Sequence, residues 1–291
     1  MLNKYKYKFH LPIYYISTLV LNLLKIIGWC KMEKAKVSKL GVHYLHFGVG
    51  EPLVLIHGLG EVKEGWQHQY ELANQYELII PDLRGHGECA KTEGISIENF
   101  AADVIGLLRE LKIETAHILG LSMGGAVAQE IYRRAPELCR SLMLVSTFHY
   151  CPKPISSLLF KNRKRKFLTF AAKGRHVEEI ARMSHYSWKA DNIENFSPLF
   201  QPKKQIFLTS LKSCLDVNNL SLLPKIKVPT LIIGGQYDSV LPVWIQAWMH
   251  KMIPNSEFII LRNTGHITKL EVKDRFNHLL RKFLNQQKIF T

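Results

Sequence analysis

The stretch Ile118–Glu130, ILGLSMGGAVAQE, sets one hydroxyl, Ser122, among glycines and small apolar residues. The apolar residues before the serine predict a short buried strand, and AVAQEIYRRA after it has the spacing of a helix that starts at once. Ser122 therefore sits on a strand-to-helix turn. Gly120 and Gly124 flank it in the pattern G-x-S-x-G, where missing Cβ atoms let backbone segments approach and hold the serine in a strained, exposed position. That arrangement is a nucleophile elbow. A second reading of the same residues is that Ser122 only caps the helix, since serine is a favoured N-cap, and that Gly-Gly only eases packing.

A serine hydroxyl is a poor nucleophile near neutral pH and needs a base, which in turn needs an orienting acid. In VPTLIIGGQYDSVLP an apolar strand, Val228–Ile233, runs into a polar turn carrying Asp238. In SEFIILRNTGHITKLE another, Phe258–Leu261, runs into a turn carrying His266. Both residues fall just past the C-terminal ends of strands, where open parallel sheets place their ligands, and the chain order is Ser, Asp, His. Taken singly, Asp238 also fits an Asx-turn and His266 a turn-stabilising residue.

An acyl-transfer intermediate carries an oxyanion that needs fixed N–H donors, each worth roughly 3–4 kcal/mol in comparable sites. The expected donors are Met123, directly after the serine, and Leu59, in LVLIHGLGEVKEGW, where the strand Leu53–Ile56 ends at His57-Gly58. His57 reads as a turn-stabilising residue, because the base is already supplied further along.

Together HGLG (57–60), PDLRGHG (81–87), GLSMGG (120–125), GGQYD (234–238) and TGH (264–266) resemble the α/β-hydrolase fold superfamily, in its cap-bearing esterase, lipase and lactonase-like branch. The resemblance covers about residues 39–283. It implies an α/β fold, with a mostly parallel eight-stranded sheet flanked by helices and a helical cap inserted after the sixth strand. It implies Ser122 as nucleophile, His266 as general base and Asp238 as its partner. It also implies that PDLRGHG is a structural turn in which Asp82, Arg84 and His86 hold loops together. Related branches place Asp at the nucleophile position for dehalogenation or epoxide opening, and Ser122 argues against both.

A chain of 291 residues is long enough for one α/β domain with an insertion. Strand-like runs end near Ile56, Pro81, Leu119, Val145, Ile233 and Leu261 and alternate with helical patterns such as IENFAADVIGLLREL. This predicts a tail at residues 1–38, a core at 39–147 and 224–291, and a helical cap at 148–223. The cap segment is rich in aromatics, among them Phe148, Tyr150, Phe160, Phe167, Phe170, Tyr186, Trp188, Phe196, Phe200 and Phe207. Most are expected to be cap core and some to line an apolar acyl pocket. Trp66, Phe148, Tyr150 and Trp188 are the candidates for that lining.

The formal charge of +15 invites a nucleic-acid reading, but its distribution argues against one. Residues 1–40 carry +7 and residues 153–175 carry +8, which leaves the hydrolase body neutral. The basic run KNRKRK, 161–166, reads as a solvated helix face or as a patch for an anionic membrane surface. In the tail, Lys4, Lys6 and Lys8 precede a stretch without full charge, Phe9–Leu24, in which Thr18 and Asn22, with Lys25 just beyond, form one polar stripe. That pattern suits a helix lying in a membrane interface, a spanning signal-anchor, or a helix packed on the enzyme's own apolar surface. Five cysteines (Cys30, Cys89, Cys139, Cys151 and Cys214) without a C-x-x-C pair point to a reducing compartment, on the cytoplasmic side of any membrane. Thirteen histidines include no close ligand set, so neither a metal nor another cofactor is expected.

The function expected from these features is hydrolysis of a small apolar or lipid-derived carboxylic ester. Carbon-carbon bond hydrolysis, lactone opening and perhydrolysis with the same triad are alternatives. So is a sensing protein that keeps the hydrolase scaffold, or a membrane-tethered scaffold with a vestigial triad.

Overall fold

The structure, a computed structural model, describes residues 35–187 and 194–287. Its aliphatic runs become eight strands: β1 (Lys36–Val37), β2 (His43–Gly48), β3 (Glu51–Ile56), β4 (Tyr76–Pro81), β5 (Ala116–Leu121), β6 (Cys139–Val145), β7 (Thr230–Gly235) and β8 (Ser256–Leu261). They make one sheet in the order β1-β2-β4-β3-β5-β6-β7-β8. The pairings of β1 with β2 and of β2 with β4 are antiparallel, and every other pairing is parallel.

The runs read from the sequence are β3 to β8, with β5 extending through Leu121 and β7 through Gly235, past the ends expected at Leu119 and Ile233. The antiparallel edge was not legible. β2 is HYLHFG, whose two histidines break both a continuous apolar run and strict alternation. Residues 35–38, expected in the tail, include β1 and therefore belong with the sheet: Lys36 pairs with Tyr44, and the Lys39 N–H donates to Glu110 Oε2 at 2.9 Å.

The main helices are α1 (Ile97–Glu110), α2 (Met123–Arg134), α3 (Lys153–Ala172), α4 (His176–Ser184), α5 (Lys204–Asp216), α6 (Trp244–Met252), the single turn α7 (Thr268–Glu271) and α8 (Lys273–Gln286). In α1 the apolar residues Ile97, Phe100, Ala101, Val104, Leu107 and Leu108 recur every three or four positions and are buried, as one face of an amphipathic helix should be. Ser96 starts it by accepting the Asn99 N–H at 3.2 Å.

Side chains alternate across a strand, so the central strands feed two cores. In β3, Val54 and Ile56 pack with α1 and α2, whereas Leu53 and Leu55 pack with Trp66 and with Phe276 and Leu280 of α8. Between β6 and β7 the chain forms α3, α4 and α5. Where it leaves and returns, Tyr150 and Asn218 form an antiparallel bridge and the Asn219 N–H donates to the His149 carbonyl at 2.8 Å. No helix among the described residues is long and apolar enough to cross a membrane, and the apolar tail segment lies outside them.

Candidate active site

β5 runs straight into α2 with a single residue between, and that residue carries the bend: Ser122 has φ 54° and ψ −115°. An L-residue at positive φ is sterically costly and persists only where its surroundings impose it. Here they do. A Cβ on Gly120 would run into the Gly124 carbonyl, and one on Gly124 into the Ile56 carbonyl, so both glycines permit the β3–β5–α2 approach. The Ser122 backbone is pinned by its N–H donating to the Val145 carbonyl at 2.9 Å and by Thr147 Oγ1 donating to the Ser122 carbonyl at 2.6 Å. Its side chain makes no capping hydrogen bond to α2, which removes the N-cap reading and leaves the hydroxyl for other work.

Parallel pairing of β7 with β8 aligns Gly235 with Leu261 and carries the two following turns alongside each other, with the Tyr237 N–H donating to the Thr264 carbonyl at 2.9 Å. His266 Nδ1 then lies 2.7 Å from Asp238 Oδ2, and both residues are only 5% exposed. An Nδ1–H that donates to a carboxylate leaves Nε2 as the acceptor. The other carboxylate oxygen, Oδ1, accepts the N–H groups of Val240 at 2.9 Å and Leu241 at 2.8 Å. Asp238 is thus both the turn residue and the histidine partner, so its two readings are one arrangement.

Leu59 lines the same cavity as Ser122, and Met123 opens α2, where backbone N–H groups lack intrahelical acceptors. The loop bearing Leu59 is fixed from two sides. His57 lies at its base: Nδ1 bonds the Gly58 carbonyl at 2.8 Å and Nε2 accepts the Leu83 N–H at 3.0 Å, so it joins this loop to PDLRGHG. Burial holds the His57 pKa down and keeps the ring neutral for that role. Within PDLRGHG, Asp82 accepts from the Lys63 N–H at 2.8 Å and from Lys63 Nζ at 3.0 Å, and Arg84 forks onto Asp103 with two bonds of 2.8 Å. These residues tie loops together.

From the other side Glu61 Oε2 accepts the Gly58 N–H at 3.0 Å and Lys269 Nζ at 3.1 Å. Lys269 is fully buried, with its ammonium 4.2 Å from the centre of the Trp66 ring. Desolvation pulls its pKa down and Glu61 opposes that shift. Nothing in the sequence singled out this pair, whose members are 208 positions apart.

The cavity beside Ser122 and His266 has largely apolar walls, with Phe167, Phe170, Phe196, Phe200 and Phe207 from the segment between β6 and β7. These five were among the aromatics expected there. The specific lining residues were not. Trp66 is a fully buried core residue under Lys269, and Phe148 belongs to the sheet core, its carbonyl accepting from Gln129 at 2.9 Å. Tyr150 closes the bridge to Asn218 and is not in the cavity wall, while Trp188 lies outside the described residues. The KNRKRK run also differs from expectation. Lys161, Lys164, Arg165 and Lys166 are exposed, Lys166 at the edge of the cavity wall, whereas Arg163 is half-buried in that wall, so the run is not a single outward face. Among the described residues no group of His, Cys, Asp or Glu is placed to hold a metal ion.

Comparison with known proteins identifies the fold family. The chain is 29% identical over 278 residues, 86% of its length and 92% of the relative's, to 2-hydroxy-6-oxononadienedioate/2-hydroxy-6-oxononatrienedioate hydrolase of Paraburkholderia phymatum. It is 25% identical over 250 residues, 80% of its length and 88% of the relative's, to 3-oxoadipate enol-lactonase 1 of Acinetobacter baylyi. Its structure resembles that of a thermophilic esterase from Thermogutta terrifontis with a TM-score of 0.76 at 26% identity, covering 85% of this chain and 94% of that one. Residues 51–271 match the family described by the alpha/beta hydrolase fold, and with the eight-stranded sheet and the elbow at Ser122 this makes the chain a member of the α/β-hydrolase fold family, a hydrolase.

Proposed function

We propose that the chain hydrolyses carboxylic esters with apolar acyl groups through an acyl-enzyme on Ser122. The observation that supports this best is the positive-φ Ser122 sharing an apolar cavity with His266, whose Nδ1 is held 2.7 Å from Asp238. In this reading the Ser122 hydroxyl attacks the ester carbonyl while His266 Nε2 takes its proton. The oxyanion forms against the N–H groups of Leu59 and Met123. His266 then gives the proton to the departing alcohol, and in the second half-reaction it activates a water that attacks the acyl carbon and frees Ser122. Helices α3, α4 and α5 serve as the cap that excludes water from the acyl group.

A fluorophosphonate is expected to label Ser122 stoichiometrically, and a series of p-nitrophenyl esters to show kcat/KM rising with acyl length as Phe167, Phe200 and Phe207 bury each added methylene. A labelled peptide lacking Ser122, or no turnover of any ester, would overturn the reading. Lactones and a dienone ring-cleavage product belong in the same series, because the relatives' names include an enol-lactonase and a hydrolase of dienedioates. Capture of a partner protein by an enzyme without turnover would instead support a sensing role.

Association of the tail with an anionic membrane on the cytoplasmic side is a separate proposal, carried by the basic and apolar pattern of residues 1–34. Deleting residues 1–34 is expected to weaken binding to phosphatidylserine vesicles while sparing hydrolysis of a short soluble ester. Equal vesicle binding by both proteins would refute it.

A further inference from the structure

α3 brings two cations to the cavity wall, Arg163 and Lys166, about one helical turn apart. Acids are present in the same wall, but they are committed elsewhere: Glu61 to Lys269 at 3.1 Å and Glu179 to Arg175 at 3.0 Å. Neither Arg163 nor Lys166 has an acidic partner among the described residues. The half-buried Arg163 makes one hydrogen bond, Nη2 donating to the Val240 carbonyl at 3.0 Å. That carbonyl belongs to the turn whose Val240 N–H is held by Asp238 Oδ1 at 2.9 Å. The guanidinium is therefore moored at the turn that bears Asp238, with most of its donors unspent, beside Phe167, Phe207 and Leu211. Burial lowers its pKa, yet a guanidinium stays charged throughout the physiological range. The Asp238 carboxylate acts on Arg163 through space but makes no direct bond to it and is engaged by His266, so the unspent donors of this half-buried guanidinium are left for a further anionic partner.

We propose that Arg163, assisted by Lys166, receives a carboxylate carried by the substrate, so that the preferred esters are anionic, with an apolar stem between the carboxylate and the scissile bond. The fork of a guanidinium matches the two oxygens of a carboxylate, and such charge-assisted bonds are the strong ones. This specificity role rests on the ester-hydrolase reading of Ser122.

The test compares p-nitrophenyl hydrogen adipate with p-nitrophenyl hexanoate, equal in chain length and different in charge, on the full-length enzyme and on Arg163→Gln and Arg163→Lys. The wild type is expected to favour the adipate monoester. Arg163→Gln should lower kcat/KM for it about 10–100-fold, mainly through KM, the range that loss of one charged hydrogen bond predicts. The hexanoate ester should change less than about threefold, and Arg163→Lys should fall between. Equal losses on both esters, or no loss on either, would overturn the proposal while leaving ester hydrolysis standing. Turnover of neither ester by the wild type would instead overturn the Ser122 reading. Calorimetry is then the independent check, with free adipate expected to bind wild type at least about tenfold more tightly than Arg163→Gln, and equal binding counting against Arg163.

Discussion

Ser122→Ala is expected to abolish ester turnover, with kcat falling by roughly 10⁴ to 10⁶-fold, because removing the nucleophile of such a triad leaves only binding and the oxyanion donors. The fold should survive. Ser122 is fixed through its backbone, by Val145 and Thr147, and its side chain caps nothing, so alanine at the same φ of 54° loses no structural bond. The measurement is hydrolysis of p-nitrophenyl butyrate by purified protein beside its thermal melt. Undiminished turnover would remove Ser122 from the chemistry, and a collapsed melt would make the loss uninterpretable. In that case Asp238→Asn gives the decision. The amide oxygen of Asn can still accept from Val240 and Leu241, preserving the turn, but its NH2 group meets His266 Nδ1 with the wrong polarity. A drop of about 10⁴-fold with an unchanged melt would then come from the histidine tautomer alone.

The second large effect concerns stability. Lys269→Met is expected to destabilise the protein by about 3–5 kcal/mol, since it leaves the Glu61 carboxylate buried with one N–H partner, from Gly58. Thermal melting should fall by roughly 6–20 °C for a domain of this size. Glu61→Gln in the same chain should recover most of that loss, because a neutral amide can still accept the Gly58 N–H and has no charge to strand. If the double variant melts no higher than Lys269→Met, the cost lies in packing against Trp66 and not in the uncompensated charge. Activity is a further readout: Glu61 holds Gly58, next to the proposed Leu59 donor. Loosening it should lower kcat more than it raises KM.

Charge placement shows how local and distant information divide. The basic run at 161–166 is plain in the sequence, yet which of its side chains turns inward depends on how α3 packs, and it is Arg163 that is half-buried in the cavity wall, with the exposed Lys166 at its edge. Similarly, aromatic content predicted an apolar wall correctly as a class, while Trp66, on a 3-10 helix, and Phe148, just after β6, pack into the two cores that flank the sheet. Apolar spacing reports that a face is covered and is silent on what covers it.

By itself the sequence determined the punctuation of this protein. It placed the elbow at Ser122 between Gly120 and Gly124, the parallel strands β3 to β8, and Asp238 and His266 on turns after β7 and β8, because backbone sterics and strand periodicity act over a few residues. Only the tertiary structure decided the antiparallel edge of β1 and β2, the joining of Glu61 to Lys269 across 208 positions, and the choice of Phe167, Phe200, Phe207 and Arg163 for the cavity wall. Those outcomes are set by which surfaces meet when the elements pack, and a contact between distant segments leaves no local periodicity to read.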